Sequence, residues 1–237
     1  VIKNPNKRLL DSAIKLARKN SATEEYLLEK FVTGELYSHS AFLKNKRAIK
    51  NFFVKEDSTV NSFVVDTSRV IFSPPPEMQR QIINAIEKLA RYLRLKDGLI
   101  HSQFIWDGCN IYLIDRNRRI AGDLYSQLIE LSTGHPYVEN YVRPFLDMPY
   151  KNIEDSDTRI PIMRHTVSVS KEQNFKHISF KESLFLESWV ALSSAGDRIK
   201  ASPDGSVGIL FARAKSQAEL LTLYEATIRR QLYEVVD

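Results

Sequence analysis

The sequence predicts an α+β protein, mainly antiparallel sheet packed with helices and closed by a small carboxy-terminal α/β subdomain. Three observations carry this reading. Apolar runs of strand length are joined by tight-turn signals such as Asn45-Lys46, which suits antiparallel pairing. Helical stripes recur between them at 3.6-residue spacing. Strands and helices mix without the strict alternation of a parallel βαβ sheet. A boundary is expected after residue 149, giving units 1–149 and 150–237.

Each element has its own signal. Residues 5–19 place Leu9, Leu10, Ala13, Ile14, Leu16 and Ala17 on one helical face, with Asn6 as cap. Tyr26 to Phe31 reads as a buried strand ended by Thr33-Gly34. Strands over 36–44 and 47–54 flank Asn45-Lys46, and Val60–Val65 and Arg69–Phe72 add two more candidates. Pro74-Pro75-Pro76 stops the sheet and opens a helix over 77–95. Leu99–Trp106 and Asn110–Asp115 form a hairpin about Asp107-Gly108. Helices over 123–133 and 137–146 are divided by Gly134-His135-Pro136. A polar loop covers 148–159, including Asp155 and Asp157. Strands follow at 162–169, 186–193 and 207–213, and a last helix runs from Ser216 to Tyr233 behind a Ser216/Glu219 capping pair.

Composition narrows the function classes. The 237 residues are 43% hydrophobic and 27% charged, ordinary for a globular chain. No apolar run approaches the roughly 20 residues of a membrane-spanning helix. The single cysteine, Cys109, rules out an internal disulfide, and a reducing cytoplasm is the expected location. The net charge is +5, and its nearest approach to a cluster is Lys44, Lys46, Arg47 and Lys50 beside Phe42, Phe52 and Phe53. A stacked single strand would suit that mixture, and so would a solvated hairpin with buried aromatics, the commoner case.

The chemistry concentrates in residues 98–123. Asp115 and Asn117 lie two apart at a strand end and therefore share a face, where an acid and an amide offer oxygen ligands for magnesium. A polar strand end without a ligand has the same pattern. Arg116, Arg118 and Arg119 follow, supplying cations for phosphate or carboxylate. Whether Gln103 joins the face depends on the hairpin. A two-residue turn opposes it to Tyr112, the wrong side; a three-residue loop, Asp107-Gly108-Cys109, opposes it to Leu113 and groups it with Asp115 and Asn117. The longer loop is expected.

This segment resembles the ATP-grasp superfamily of carboxylate–amine ligases and biotin carboxylase. The metal strand there reads Glu-x-Asn-Pro-Arg, against Asp115-Arg116-Asn117-Arg118-Arg119 here; the preceding strand reads His-x-Glu-Phe, against His101-Ser102-Gln103-Phe104. The family's adenine hinge, Val-Glu-Glu-Phe-Ile-x-Gly-x-Glu-Tyr-Ser, is similar to Leu28 through Ser38. The tail (Ala195-Gly196-Asp197, Val207-Gly208-Ile209, Ser216 to Leu220) resembles the closing segment of these ligases.

The resemblance implies the carboxy-terminal part of an ATP-grasp domain that uses ATP and Mg2+. Gln103, Asp115 and Asn117 would hold the metal and Arg119 would stabilise acyl-phosphate oxygens. Glu29, Lys30, Phe31 and Val32 would border adenine. The family's ribose glutamate falls on Leu36, so either a local bulge lets Glu35 serve or ribose is held differently. The implied reaction joins a small-molecule carboxylic acid to an amine through an acyl phosphate. The family's lysine strand and glycine-rich loop have no counterpart before the first helix, so a missing amino-terminal half, in the same protein or a partner chain, is expected. Alone, the chain is expected to bind ATP weakly and ligate nothing. The rivals are a degenerate, non-catalytic nucleotide binder, suggested by the neutral Gln103, and a basic nucleic-acid-binding domain.

Overall fold

The structure, a computed structural model, describes residues 6–154, 158–181 and 183–237. Its contacts divide the chain into Val1–Gly34 and Glu35–Asp237.

The first unit holds helix α1 (Lys7–Lys19), whose Asn6 cap accepts from the Leu9 N–H at 2.9 Å. Its apolar stripe is on the surface, and none of its residues is buried. The strand expected over 26–31 is absent: residues 25–33 are irregular, and Leu27, Leu28 and Phe31 are exposed. An apolar run becomes a strand only when a neighbour takes its backbone hydrogen bonds, and among the described residues none does.

The second unit opens with strands β1 (Glu35–Lys44), β2 (Arg47–Asp57) and β3 (Thr67–Val70), then helix α2 (Pro76–Tyr92). Strands β4 (Gly98–Trp106) and β5 (Ile111–Asn117) precede α3 (Tyr125–Thr133) and α4 (Tyr137–Val142), the latter continued by a 3-10 turn at Arg143–Leu146. The remainder is β6 (Ile162–Val167), β7 (Gln173–Asn174), β8 (His177–Phe180), β9 (Phe185–Ala191), β10 (Arg198–Ile199), β11 (Gly208–Arg213), α5 (Gln217–Ile228) and β12 (Tyr233–Val236). Eight strands form one sheet in the order β5-β4-β1-β2-β3-β6-β11-β9, and every described pairing in it is antiparallel. The fold class is α+β, as expected. The expected boundary after residue 149 falls inside this sheet, because β3 pairs with β6 across it.

Side-chain alternation sends two apolar layers out of the sheet. On one face Phe42, Phe52, Val54, Ile162 and Phe211 meet Leu128 and Ile129 of α3 and Tyr137 of α4. On the other, Leu43, Phe53, Ile100 and Phe104 pack on Met78, Ile82 and Ile86 of α2, while Met163, Leu210 and Ala212 pack on Leu220 and Leu223 of α5.

Local differences from expectation have local causes. Asn45 and Lys46 both adopt positive φ, the turn that matches strand twist, so the first hairpin forms as read. Residues 60–65 form no strand, because the Asp66 carboxylate gathers the Thr59 N–H and hydroxyl and rounds the chain into a loop. The last helix stops at Ile228; Arg230 turns left-handed (φ 58°) and the chain leaves as β12 to pair with β8. The Ser216 cap forms, while Glu219 reaches the Lys215 N–H instead of that of Ser216. Within the 148–159 loop, Asp155 and Asp157 lie outside the described residues.

Candidate functional site

Directly paired residues in an antiparallel ladder share a face, so the register alone assembles the site. Asp115 opposes Gln103, and Gln103 opposes Ser38. Glu56 lies two residues past Val54, the partner of Ser38 on the next strand, and itself opposes Ser68; Ser68 opposes Arg164. One polar line thus crosses β5, β4, β1, β2, β3 and β6 on the sheet face that carries α3 and α4.

The expected hairpin geometry is corrected. Trp106 pairs with Ile111, leaving a four-residue loop, Asp107–Asn110, closed by the Asp107 N–H to the Asn110 carbonyl at 3.2 Å. The Asp107 carboxylate holds it by accepting from the Cys109 and Asn110 N–H groups. In that register Phe104, not Gln103, opposes Leu113, and Gln103 would face Ile114 with the wrong parity. A bulge between Gln103 and Phe104 skips Ile114 and returns Gln103 to Asp115.

Both amides at the site have their nitrogens occupied by carboxylates. Asn117 Nδ2 donates to Asp115 Oδ2 at 2.6 Å, and Gln103 Nε2 donates to Glu56 Oε2 at 2.8 Å. A carboxylate only accepts, so each bond fixes which end of the amide points away, and in both it is the oxygen. Gln103 and Asn117 therefore turn their oxygens away from these bonds, and with Asp115 they make an oxygen set that suits a hard cation such as Mg2+. Among the described residues no group of three or more His, Cys, Asp or Glu has metal-binding geometry, so this set depends on its amide oxygens.

Sequence reasoning missed Glu56, Ser38 and Arg164. Glu56 is buried; desolvation raises its pKa, opposed by hydrogen bonds from Gln103 and Ser38 and by the positive field of Arg164. Arg164, 2% exposed, donates to Ser68 and Thr166 and lies 3.5 Å from Asp123 Oδ2. Asp123 and Leu124 both take left-handed backbone there, strain that non-glycine residues rarely hold. One signal for Glu56 was available: Phe52, Val54 and Glu56 alternate onto one face, so an acid follows two core positions.

The arginines divide. Arg116 pairs with Ser102 on the opposite face, and Arg118 donates to the Lys96 and Asp97 carbonyls. Arg119 lies two residues beyond β5, exposed, its one described contact a bond to the adjoining Ile120 carbonyl. His101 opposes Asn117 and hydrogen-bonds the Ser40 hydroxyl at 2.9 Å; burial lowers its pKa to about 4, which keeps it neutral.

Glu35 is not turned onto the face of Leu36 and Ser38. The β1–β4 ladder runs without a break there, so Glu35 pairs with Trp106 on the opposite face, bonded to the Tyr37 hydroxyl at 2.7 Å. Glu29, Lys30, Phe31 and Val32 belong to the first unit, in irregular chain with Val32 half-buried and the other three exposed. Near the basic hairpin, Phe42, Phe52 and Phe53 are all buried, so their rings offer no stacking platform for bases.

No protein-family model matches the sequence, and no curated protein matches it. The fold does have solved counterparts. Phosphoribosylglycinamide synthetase from Anaerococcus prevotii superposes with a TM-score of 0.71 at 12% identity, over 98% of this chain and 60% of that one. L-amino acid ligase from Bacillus licheniformis gives 0.68 at 14%, over 87% and 52%. Biotin carboxylase from Campylobacter jejuni, in a β,γ-ATP complex, gives 0.64 at 12%, over 98% and 54%. The chain spans roughly half to three-fifths of the length of these structures.

Proposed function

From the carboxy-terminal part of the ATP-grasp fold, which this chain carries, we propose an ATP-dependent ligase that joins a small carboxylic acid to an amine. The observation that supports it most is the alignment of Gln103, Asp115 and Asn117 on one face, with oxygen the free end of each amide. A carboxylate oxygen of the acid attacks the γ-phosphorus of ATP, the bond to the bridging oxygen breaks, and ADP leaves. The amine nitrogen then attacks the acyl carbon, inorganic phosphate departs, and the nitrogen loses a proton. Both steps are governed by positioning and charge.

Gln103, Asp115 and Asn117 would hold a magnesium ion, which would supply positive charge to the phosphate oxygens. Arg119, the arginine not committed to another strand or loop, serves the acyl-phosphate oxygens. Backbone at Glu29 to Val32 borders the adenine, and ribose is held by groups other than Glu35. The amino-terminal half, from the same protein or a partner chain, would grip the phosphates. A cytoplasmic location suits this chemistry, and no helix among the described residues is long and apolar enough to cross a membrane.

The test is carboxylate-dependent ADP release by the full-length protein, with hydroxylamine added to trap the acyl phosphate as a hydroxamate. Asp115→Asn should reduce release by roughly a hundredfold or more, because it removes the one carboxylate of the metal set. Equal release from this variant would remove Asp115 from the mechanism. A second reading rests on Gln103 standing where the family has an acid. If wild type binds nucleotide but releases no ADP with any carboxylic acid, the protein is a non-catalytic binder.

A further inference from the structure

We infer that Glu56 is a positioning residue that lets a glutamine serve as a metal ligand, a role resting on the metal reading of Gln103, Asp115 and Asn117. An amide is a poor substitute for a carboxylate on two counts. It has no charge, and it has only one oxygen, so a half-turn of its end group presents N–H to the cation. The structure answers the second difficulty. Glu56 Oε2 accepts from Gln103 Nε2 at 2.8 Å, which turns the amide nitrogen toward Glu56 and leaves Oε1 as the end pointing away from it.

The anchor is itself fixed. Glu56 is 4% exposed, and Ser38, the residue directly opposite Gln103 on β1, favours its charged form while its own hydroxyl bonds Tyr125 Oη at 3.2 Å. Arg164, also buried, supplies the compensating positive field from β6. A buried carboxylate needs such company, since burial alone strongly opposes its charge. The arrangement answers the first difficulty as well. The negative charge lost at Gln103 reappears one bond further back, where it polarises the amide oxygen toward the ion.

The reciprocal arrangement defines the test. Glu56→Asp keeps the charge but withdraws the carboxylate by one methylene, breaking its bond to Gln103. The double exchange Gln103→Glu with Glu56→Gln restores the same hydrogen bond in the reverse sense, with unchanged net charge. Manganese(II), alone and with ADP, is titrated into the full chain and followed by electron paramagnetic resonance. Wild type binds, Glu56→Asp binds roughly 10- to 100-fold more weakly, and the double exchange binds at least as tightly as wild type.

Absence of manganese binding by wild type overturns the metal reading and this inference together. Binding by wild type and equally by Glu56→Asp overturns the positioning role alone. Should Glu56→Asp not fold, the double exchange decides: affinity tenfold or more below wild type overturns the role. A third readout needs no variant. In wild type the Gln103 side-chain NH2 exchanges slowly with solvent and stays protected when magnesium is added, while its Cδ resonance shifts. Loss of that protection on magnesium addition means the amide turns, and overturns the proposal.

Discussion

Gln103 and Glu56 show how one substitution in a ligand set changes what its neighbour must do. A Gln103→Glu change adds a carboxylate, but places it in hydrogen-bond contact with the buried Glu56. Two carboxylates at that separation cannot both ionise without a cation or a shared proton. The variant should therefore melt lower than wild type in chelator and gain more melting temperature than wild type from added magnesium. A thermal scan with and without the ion reads this directly, and equal gains in the two proteins would show that position 103 does not face the ion. Side-chain direction at Asp115 and Asn117 was legible from spacing alone, since strand alternation is geometric. The support from Glu56, Ser38 and Arg164 was not, because it crosses strands whose order local sequence does not encode. The side of Glu35 was left open for a related reason: a bulge is a property of a ladder, and the β1–β4 ladder has none at Glu35 and Leu36.

At the scale of elements, that bulge sets the parity of the site. The four-residue loop alone would place Gln103 opposite Ile114, and the extra residue in β5 moves the pairing on to Asp115. Deleting Ile114, an exposed residue, should leave Asp115 opposite Gln103 and preserve manganese binding, at a stability cost under about 1 kcal/mol. Inserting one alanine between Ile114 and Asp115 should send Asp115 and Asn117 to the other face and abolish binding while the fold persists. Binding retained by the insertion would show that register does not build the site. Most helices and long strands were readable because their periods agree with their burial, as in α2, where Ile82 and Ile86 meet the sheet. The two-residue strands β7 and β10 were not, since so short a run carries no period. The stretch Tyr26–Phe31 misled for the opposite reason, having strand composition without a strand beside it.

Across the whole molecule, three of the four buried histidines tie stability to pH. His39 pairs with Asn51 Oδ1 at 2.9 Å and His101 with Ser40, and burial lowers the pKa of each to about 4. His165 is lowered likewise by burial, between Thr67 and Tyr233. The unfolded chain protonates these groups near pH 6.5 and the folded one does not, so stability is complete above 6.5 and falls as pH drops toward 4. His39 and His101 should each cost about 2 kcal/mol by pH 5. Glu56 acts in the opposite sense, because its raised pKa lets the folded state take up a proton before the unfolded one does. Denaturant midpoints at pH 7 and pH 5 measure the net loss, and His39→Gln should shrink it. An unchanged midpoint would mean that these rings do not stay neutral in the fold.

Cys109 gives the protein an address. It is the sole cysteine, its thiol is exposed, and it sits in the loop joining the two strands that carry Gln103 and Asp115. Its backbone is held from below, where Gln81 of α2 bonds both the Cys109 carbonyl and the Ile111 N–H. A maleimide dye or nitroxide should therefore attach at one site per chain, on a platform whose motion is that of the sheet. Mass spectrometry should show a single adduct with the melting temperature unchanged within about a degree, as expected of an exposed position. The label would then serve as a fixed beacon, from which distances to a second reporter on Lys7–Lys19 could be followed as nucleotide is added.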